Sequence, residues 1–216
     1  MIPKTIQQKL DEGRQYRSVV EIRAVDEEMI VEGYATTFNT PYTLYEDNDF
    51  RIDEQVDSRA FDNADMSDVI MQYDHEGRVF ARKSNGTLAL EADAHGLHIR
   101  ADLGGTELGR QLYEEIRGGY TDKMSFGFTV GKQERTEEIV DGKTIVHRKI
   151  TGIKKLYDVS AVSLPANDAT EISARKFGEG VIREIEEERL AMEARRKKAQ
   201  RIKIIMEMED TPNEKH

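Results

Sequence analysis

Short apolar runs and alternating apolar and polar positions follow one another from Tyr16 to about residue 165. These runs are typical of β-strands, and they read SVVEIRAV, MIVEGYATTF, DVIMQYDH, GTLALEAD, GLHIRADL, MSFGFTV, KTIVHRKITGI and LYDVSAVSLP. Turn residues separate several of them, at Ser84-Asn85-Gly86, His95-Gly96 and Asp141-Gly142. The pattern predicts a mainly β (α+β) body of antiparallel strands, consistent with a closed or nearly closed barrel.

Two segments inside this body have a helical rather than a strand pattern. The first, from Asp57 to Met66, is short and polar, with Phe61 as its largest apolar residue. The second, TELGRQLYEEIR, can be capped by Thr106 and ends before Gly118-Gly119. Its apolar residues repeat every four positions and predict one buried face, made of Leu108, Leu112 and Ile116.

The character of the chain changes at both ends of this body. Residues 1–16 form a polar N-terminal extension, and 17–176 are expected to form the main domain. Residues 177–216 are rich in helix formers and in Glu-to-Arg pairs at helical spacing, which predicts a charged helical tail. Its apolar positions are too irregular for a coiled coil, so docking on a partner and free movement both stay open.

Composition excludes several kinds of function. The 216 residues include no cysteine, which excludes disulfides, a cysteine nucleophile and thiolate zinc sites. A net charge of -10 argues against a nucleic-acid binder, and the basic cluster of residues 195–198 follows strongly acidic helical turns. Neither a membrane-spanning run nor a secretory signal is recognisable, so we expect a cytosolic protein without a membrane partner.

Ser125, in the segment MSFGF, is a candidate nucleophile. On a strand, Met124, Phe126 and Phe128 would share the core face and leave Ser125 and Gly127 on the other. A hydroxyl beside a residue without a side chain would be accessible, with room for a substrate backbone. The alternative is an outward serine on an ordinary strand.

His75 is the best general base that the sequence offers to this serine. It ends an apolar strand, before the turn residues Glu76 and Gly77, where a rigid element meets solvent. His95 and His98 are three residues apart in a strand-like segment, which would place them on opposite faces and argues against a shared metal. His147 lies in mid-strand.

A carboxylate should orient the imidazole, and Asp158 is the candidate because an unpaired charge in its apolar strand would be costly. The alternative is that Asp158 pairs with Arg148 or a lysine. Asp74 adjoins His75, but would point the other way if the strand persists.

Taken together, these segments resemble the prohead, or capsid-maturation, serine proteases of tailed bacteriophages, a family related in fold to herpesvirus assemblin. Order and approximate spacing fit from about residue 20 to residue 175. The matching segments are EGYATTFN, DSRAF, QYDHEGRVFARKSNGTLALEADAHGLHIRADL, LYEEIRGGYTDKMSFGF and HRKITGIKKLYDVSAVSLPANDATEISAR.

The resemblance implies an assemblin-like antiparallel barrel with His75 and Ser125 as the catalytic pair. Asp158 is implied as the third member, although His147 and His98 remain candidates because the herpesvirus enzymes use a second histidine. Two or so donors must stabilise the oxyanion. Those considered are backbone amides near Gly127 or in the 165–168 loop (Pro165, Ala166, Asn167, Asp168).

The resemblance also implies a function without a cofactor. Such enzymes act inside the procapsid in the host cytoplasm, cleave the scaffold region of the major capsid protein or a separate scaffold, and often cleave themselves. A homo-oligomer is expected, and the tail is a candidate for binding scaffold. Two other hypotheses are a non-catalytic scaffold or assembly protein and a metal-dependent hydrolase built on His75, His95 and His98.

Overall fold

A computed structural model describes residues 5–25, 28–163 and 168–209 of the chain. The chain divides into two compact units, Met1–Lys176 and Phe177–His216. The three described helices are α1 (Ile6–Asp11), α2 (Glu107–Arg117) and α3 (Asp168–Glu209). None of these helices combines the length and the apolar character that crossing a bilayer requires.

Ten strands in the described residues form one mixed sheet. They are β1 (Gln15–Val25), β2 (Ile30–Thr37), β3 (Tyr42–Glu46), β4 (Phe50–Val56), β5 (Ile70–Tyr73), β6 (Glu76–Arg82), β7 (Leu88–Ala92), β8 (Gly96–Asp102), β9 (Lys123–Val140) and β10 (Lys143–Val162). Their order is β3-β4-β10-β9-β1-β2-β8-β7, and β5 pairs with β10 and with β6.

The mainly β prediction is confirmed, but the closed antiparallel barrel is not observed. Strand β10 pairs in parallel with β4 through residues 144–150 and with β5 through residues 158–161. The path of paired strands ends at β3 on one side and at β7 on the other, and these two do not pair within the described residues. Hydrophobic alternation identifies strands, whereas closure depends on which strands pair.

The long hairpin of β9 and β10 carries the centre of the sheet. The predicted turn at Asp141 and Gly142 is confirmed, because both residues have positive φ (51° and 84°) and connect Val140 to its partner Lys143. The segments KTIVHRKITGI and LYDVSAVSLP, predicted as separate strands, belong to β10 as far as Val162. Register shifts between Ile150 and Asp158 allow the strand to continue through this region.

Of the two helices predicted inside the body, the structure contains only the second. Helix α2 is confirmed, and the Thr106 hydroxyl caps it by accepting from the Gly109 amide at 2.9 Å. Leu112 and Ile116 are buried, but Leu108 is 38% exposed. The helix predicted from Asp57 to Met66 is wrong, because successive bonds between residues three apart fold this segment into turns. Phe61 nevertheless packs in the hydrophobic core.

A buried ionic cluster ties β1, β3, β4 and β10 together. Both oxygens of Glu54 accept from Arg17, at 2.6 and 3.0 Å, and Arg148 and Tyr42 also donate to this carboxylate. Burial alone would raise the pKa of Glu54, but the charges of Arg17 and Arg148 outweigh it and lower that pKa to about 2. The cluster therefore keeps one carboxylate ionised inside the protein.

Replacing Glu54 with Gln should lower the free energy of unfolding by about 3–5 kcal/mol at neutral pH, because two buried guanidinium groups lose their counter-charge. The stabilisation is complete above the ordinary pKa of 4.5 and is lost as pH falls toward 2. Urea unfolding at a series of pH values measures this, with exposed Glu46→Gln as control. A Glu54→Gln protein as stable as the wild type at pH 7 would contradict the assignment.

Candidate active site

His75 lies in a tight turn between β5 and β6. Asp74 and His75 both have positive φ (48° and 61°) and connect Tyr73 to its partner Glu76. Left-handed backbone is uncommon for residues other than glycine, although Asp and His adopt it more often than most, and it costs roughly 1–3 kcal/mol for each, so surrounding contacts must hold it. The expectation that Glu76 and Gly77 form the turn is wrong, because both belong to β6.

Contacts on both sides hold this turn in place. The Asp74 amide donates to the Ala161 carbonyl at 3.0 Å, and the Lys9 ammonium donates to the His75 carbonyl at 2.8 Å. Asp74 also accepts from the Ser163 amide and hydroxyl, at 3.2 and 3.1 Å. Its side chain therefore binds away from the imidazole, although the strand on which that prediction depended ends at Tyr73.

Neighbouring strands place the serine and the carboxylate on one face of the sheet. Ser125 of β9 is paired with Ser160 of β10, and Gly127 is paired with Asp158. Directly paired residues in a sheet point to the same face, so Ser125 and Asp158 lie one row apart on the face that His75 reaches. Met124, Phe126 and Phe128 pack in the core on the opposite face, as predicted.

The structure places the three predicted residues in contact in sequence, with His75 between Ser125 and Asp158. The Nε2 atom of His75 lies 2.6 Å from the Ser125 hydroxyl, and its Nδ1 atom lies in short contact with Oδ1 of Asp158. An ionised carboxylate can only accept, so Nδ1 carries the proton and Nε2 accepts from the Ser125 hydroxyl. All three side chains are fully buried.

The surroundings of Asp158 favour its ionised form. Burial alone would raise the pKa of Asp158, but the charge and hydrogen bond of His75, followed by the charges of Arg14 and Lys9, leave it lowered. Ser160 adds a hydrogen bond to Oδ1 at 3.2 Å. A carboxylate that stays charged in this position can stabilise an imidazolium.

Gly127 makes room for the carboxylate rather than for a substrate. A Cβ atom at this position would lie 2.5 Å from Oδ2 of Asp158 and 2.8 Å from the Tyr16 ring. The expectation that Gly127 leaves Ser125 accessible is therefore wrong, since Ser125 has no exposed surface. Strand alternation gives the face of a side chain, but it does not show what covers that face.

Three residues that contact the histidine and the carboxylate were not predicted from the sequence. Lys9, Arg14 and Tyr16 come from the polar segment at the start of the chain. The Tyr16 ring lies 4.4 Å from the imidazole, and Arg14 reaches Oδ2 of Asp158 at 3.4 Å. Burial, and then the charge of Asp158, raise the pKa of Tyr16, so its hydroxyl stays neutral. The one available signal was the helix-capping sequence TIQQ, in which Thr5 and Gln8 form a capping box.

The other histidines lie elsewhere. His147 binds Glu138 at 3.0 Å, while His95 and His98 both contact the Tyr34 ring. The prediction that His95 and His98 face apart is wrong, because His95 lies in the turn before β8. In the described part of the chain, no three His, Asp or Glu side chains are grouped as a metal site.

Two further predictions concern the partner of Asp158 and the oxyanion donors. The pairing of Asp158 with Arg148 is not observed, because Arg148 binds Glu54 instead. Of the residues considered as oxyanion donors, 165–167 lie outside the described part, and Asp168 begins α3. The oxyanion donors therefore stay a prediction.

Gly127→Ala should disrupt this arrangement, because the added methyl group would displace the Asp158 carboxylate or the Tyr16 ring. We expect about 1–3 kcal/mol of destabilisation and loss of the contact between Asp158 and His75. Thermal unfolding and histidine NMR spectra measure these two effects. Gly105→Ala, where a Cβ atom would meet nothing within 4 Å, is the control. Unchanged stability together with an unchanged histidine spectrum would contradict the packing described here.

The chain matches the family model of the caudovirus prohead serine protease over residues 18–181. This range includes His75, Ser125 and Asp158. No curated protein and no solved structure matches the chain, so the assemblin-like fold stays a prediction. Because the match covers well over half of the sequence, the chain belongs to the caudovirus prohead serine protease family.

Proposed function

We propose that this chain is a serine endopeptidase with Ser125 as nucleophile, His75 as general base and Asp158 as the residue that orients the imidazole. The observation that carries the proposal is the unbroken line of contacts from Asp158 through His75 to the Ser125 hydroxyl. A serine is a weak nucleophile until an adjacent base accepts its proton, and this line supplies that base.

The geometry supports acyl transfer in two steps. The Ser125 oxygen attacks the peptide carbonyl while Nε2 of His75 accepts the hydroxyl proton, and Asp158 stabilises the resulting imidazolium. The imidazolium then gives its proton to the leaving amine as the peptide C–N bond breaks, which leaves an acyl-enzyme. Water, deprotonated by His75, hydrolyses the ester and restores the Ser125 hydroxyl.

Membership of the prohead protease family supports a role in capsid maturation and a location in the procapsid. Within that role, we infer that the substrates are the scaffold region of the major capsid protein or a separate scaffold protein, and the chain itself. The enzyme would act as a homo-oligomer inside procapsids in the host cytoplasm. The tail, residues 177–216, is our candidate for the part that binds scaffold.

The burial of Ser125 and His75 bears on how activity is controlled. Neither residue has exposed surface, so a substrate carbonyl reaches Ser125 only after the residues packed over its hydroxyl move. A protease that is made together with its substrate must stay inactive until assembly. We infer that high local concentration inside the shell, with oligomerisation, favours the open form.

The same burial is the observation that favours the alternative, a non-catalytic scaffold or assembly protein. In that case Ser125 would need no access, and its contact with His75 would only stabilise the fold. The two functions predict different effects of removing the Ser125 hydroxyl. A protease loses its activity, whereas an assembly protein keeps its function.

Ser125→Ala should abolish cleavage while the protein still folds, because only the attacking oxygen is lost. The chain is co-expressed with the major capsid and scaffold proteins of its phage, and fragments are identified by mass spectrometry. Ser84→Ala, at an exposed position, is the control that should cleave normally. Fragments produced by Ser125→Ala at the rate of the original chain would overturn the assignment of the nucleophile.

Asp158→Asn should lower kcat on a cleavable peptide by about 10⁴-fold, because an amide favours the wrong imidazole tautomer. Asp74→Asn is a matched control, since Asp74 is adjacent to His75 in sequence but binds Ser163. Steady-state kinetics compare the two variants. Equal losses in both would show that charge near the turn matters rather than orientation of the imidazole by Asp158.

A further inference from the structure

A cationic side chain approaches the buried carboxylate from a segment that precedes β1. The Nη1 atom of Arg14 donates to Oδ2 of Asp158 at 3.4 Å, and the Arg14 side chain is only 18% exposed. The other oxygen of Asp158 already accepts from His75 and from Ser160. Arg14 therefore binds the carboxylate oxygen that the imidazole leaves available.

The cap of helix α1 leads the backbone of Arg14 into β1. The Gly13 amide donates to the Leu10 carbonyl at 2.9 Å, and the Arg14 amide donates to the Lys9 carbonyl at 3.1 Å. With Gly13 at a φ of 83°, these two bonds form a Schellman motif, which ends a helix and turns the chain sharply. The turn leads directly into β1, which begins at Gln15.

An aromatic ring packs against the guanidinium group of Arg14. The central carbon of the Arg14 guanidinium lies 3.7 Å from the centre of the Tyr157 ring, and Tyr157 directly precedes Asp158 in β10. Stacking of this kind restricts a long side chain and favours arginine over lysine. The side chain is thus held between an aromatic face and a carboxylate.

We propose that Arg14 is a positioning residue of the active site, which holds the Asp158 carboxylate in the orientation that His75 requires. The inference rests on the proposed function, because it assumes that Asp158 orients a catalytic imidazole. Binding at Oδ2 resists rotation of the carboxylate about its Cβ–Cγ bond, since Oδ1 must then stay on the side of Nδ1.

This assignment adds a residue that lies outside the part matched to the family. The family model begins at residue 18, whereas Arg14 and the helix that orients it lie before that point. The segment therefore lies outside the matched range and still reaches the carboxylate of Asp158.

The test compares Arg14→Gln with Arg14→Lys in the full chain on a cleavable peptide. Arg14→Gln should lower kcat about tenfold with little change in KM, which is the effect of one charge-assisted hydrogen bond at the lower end of its range. Arg14→Lys keeps the charge and should recover part of this loss. Arg59→Gln is the matched control, because Arg59 is 83% exposed and lies 3.9 Å from its own carboxylate partner.

A second readout separates positioning from a general effect on folding. In the described residues Asp158 is faced by His75 from the β5–β6 turn, by Lys9 from α1, and by Arg14 and Tyr16 from the chain entering β1. Loss of Arg14 removes one positive charge from this set, so the pKa of Asp158 should rise. Carboxyl ¹³C NMR of Asp158 follows this change, and thermal unfolding shows whether the variant stays folded.

The possible results separate the role of Arg14 from the proposed function. Lower kcat with a raised Asp158 titration in a folded Arg14→Gln protein supports the proposal. Unchanged kcat and titration overturn it, and so does a gain in activity, which would mean that the segment only obstructs the site. If Ser125→Ala also cleaves normally, the proposed function itself fails. If Ser125→Ala is inactive while Arg14→Gln is fully active, only the role of Arg14 fails.

Discussion

The contact between the ionised carboxylate of Asp158 and the imidazole of His75 is the interaction on which the site depends. It lies in a fully buried position, where an unpaired charge would be strongly unfavourable. The protein satisfies this charge from several directions: the His75 turn, Ser160 on the same strand and Arg14 before β1. Gly127 completes the arrangement because its missing side chain leaves space for the carboxylate.

Positioning of this kind requires the rest of the sheet to be rigid. His75 has left-handed backbone at the end of a hairpin, and it stays there because β5 pairs with β10, which also carries Asp158. Ser125 lies on β9, between β10 and β1, so its backbone is fixed by neighbours on both sides. The serine, the histidine and the carboxylate are thus connected through one strand, β10, and small changes in its register would separate them.

The sequence predicted the parts of this arrangement that depend on local patterns. Alternation in MSFGF identified the face of Ser125, the Asp-Gly pair identified the β9–β10 turn, and Thr106 with Leu112 and Ile116 identified α2. Pairing between distant strands was beyond such patterns, and so were the parallel contacts of β10, the open sheet and the turns of residues 57–66. The contribution of Arg14 was missed for the same reason, because only the folded chain brings a polar N-terminal segment against Asp158.

The most direct test of the account is covalent labelling of the full chain with a serine-directed phosphonate, followed by peptide mass spectrometry to locate the label. The account predicts one modified residue, Ser125, with labelling that is strongly slowed when His75 is replaced by Ala. Labelling should also increase under conditions that promote assembly, since the hydroxyl is buried in the structure described here. Absence of label on Ser125 under assembly conditions that support cleavage of the capsid protein, or a label on a different serine, would contradict the account.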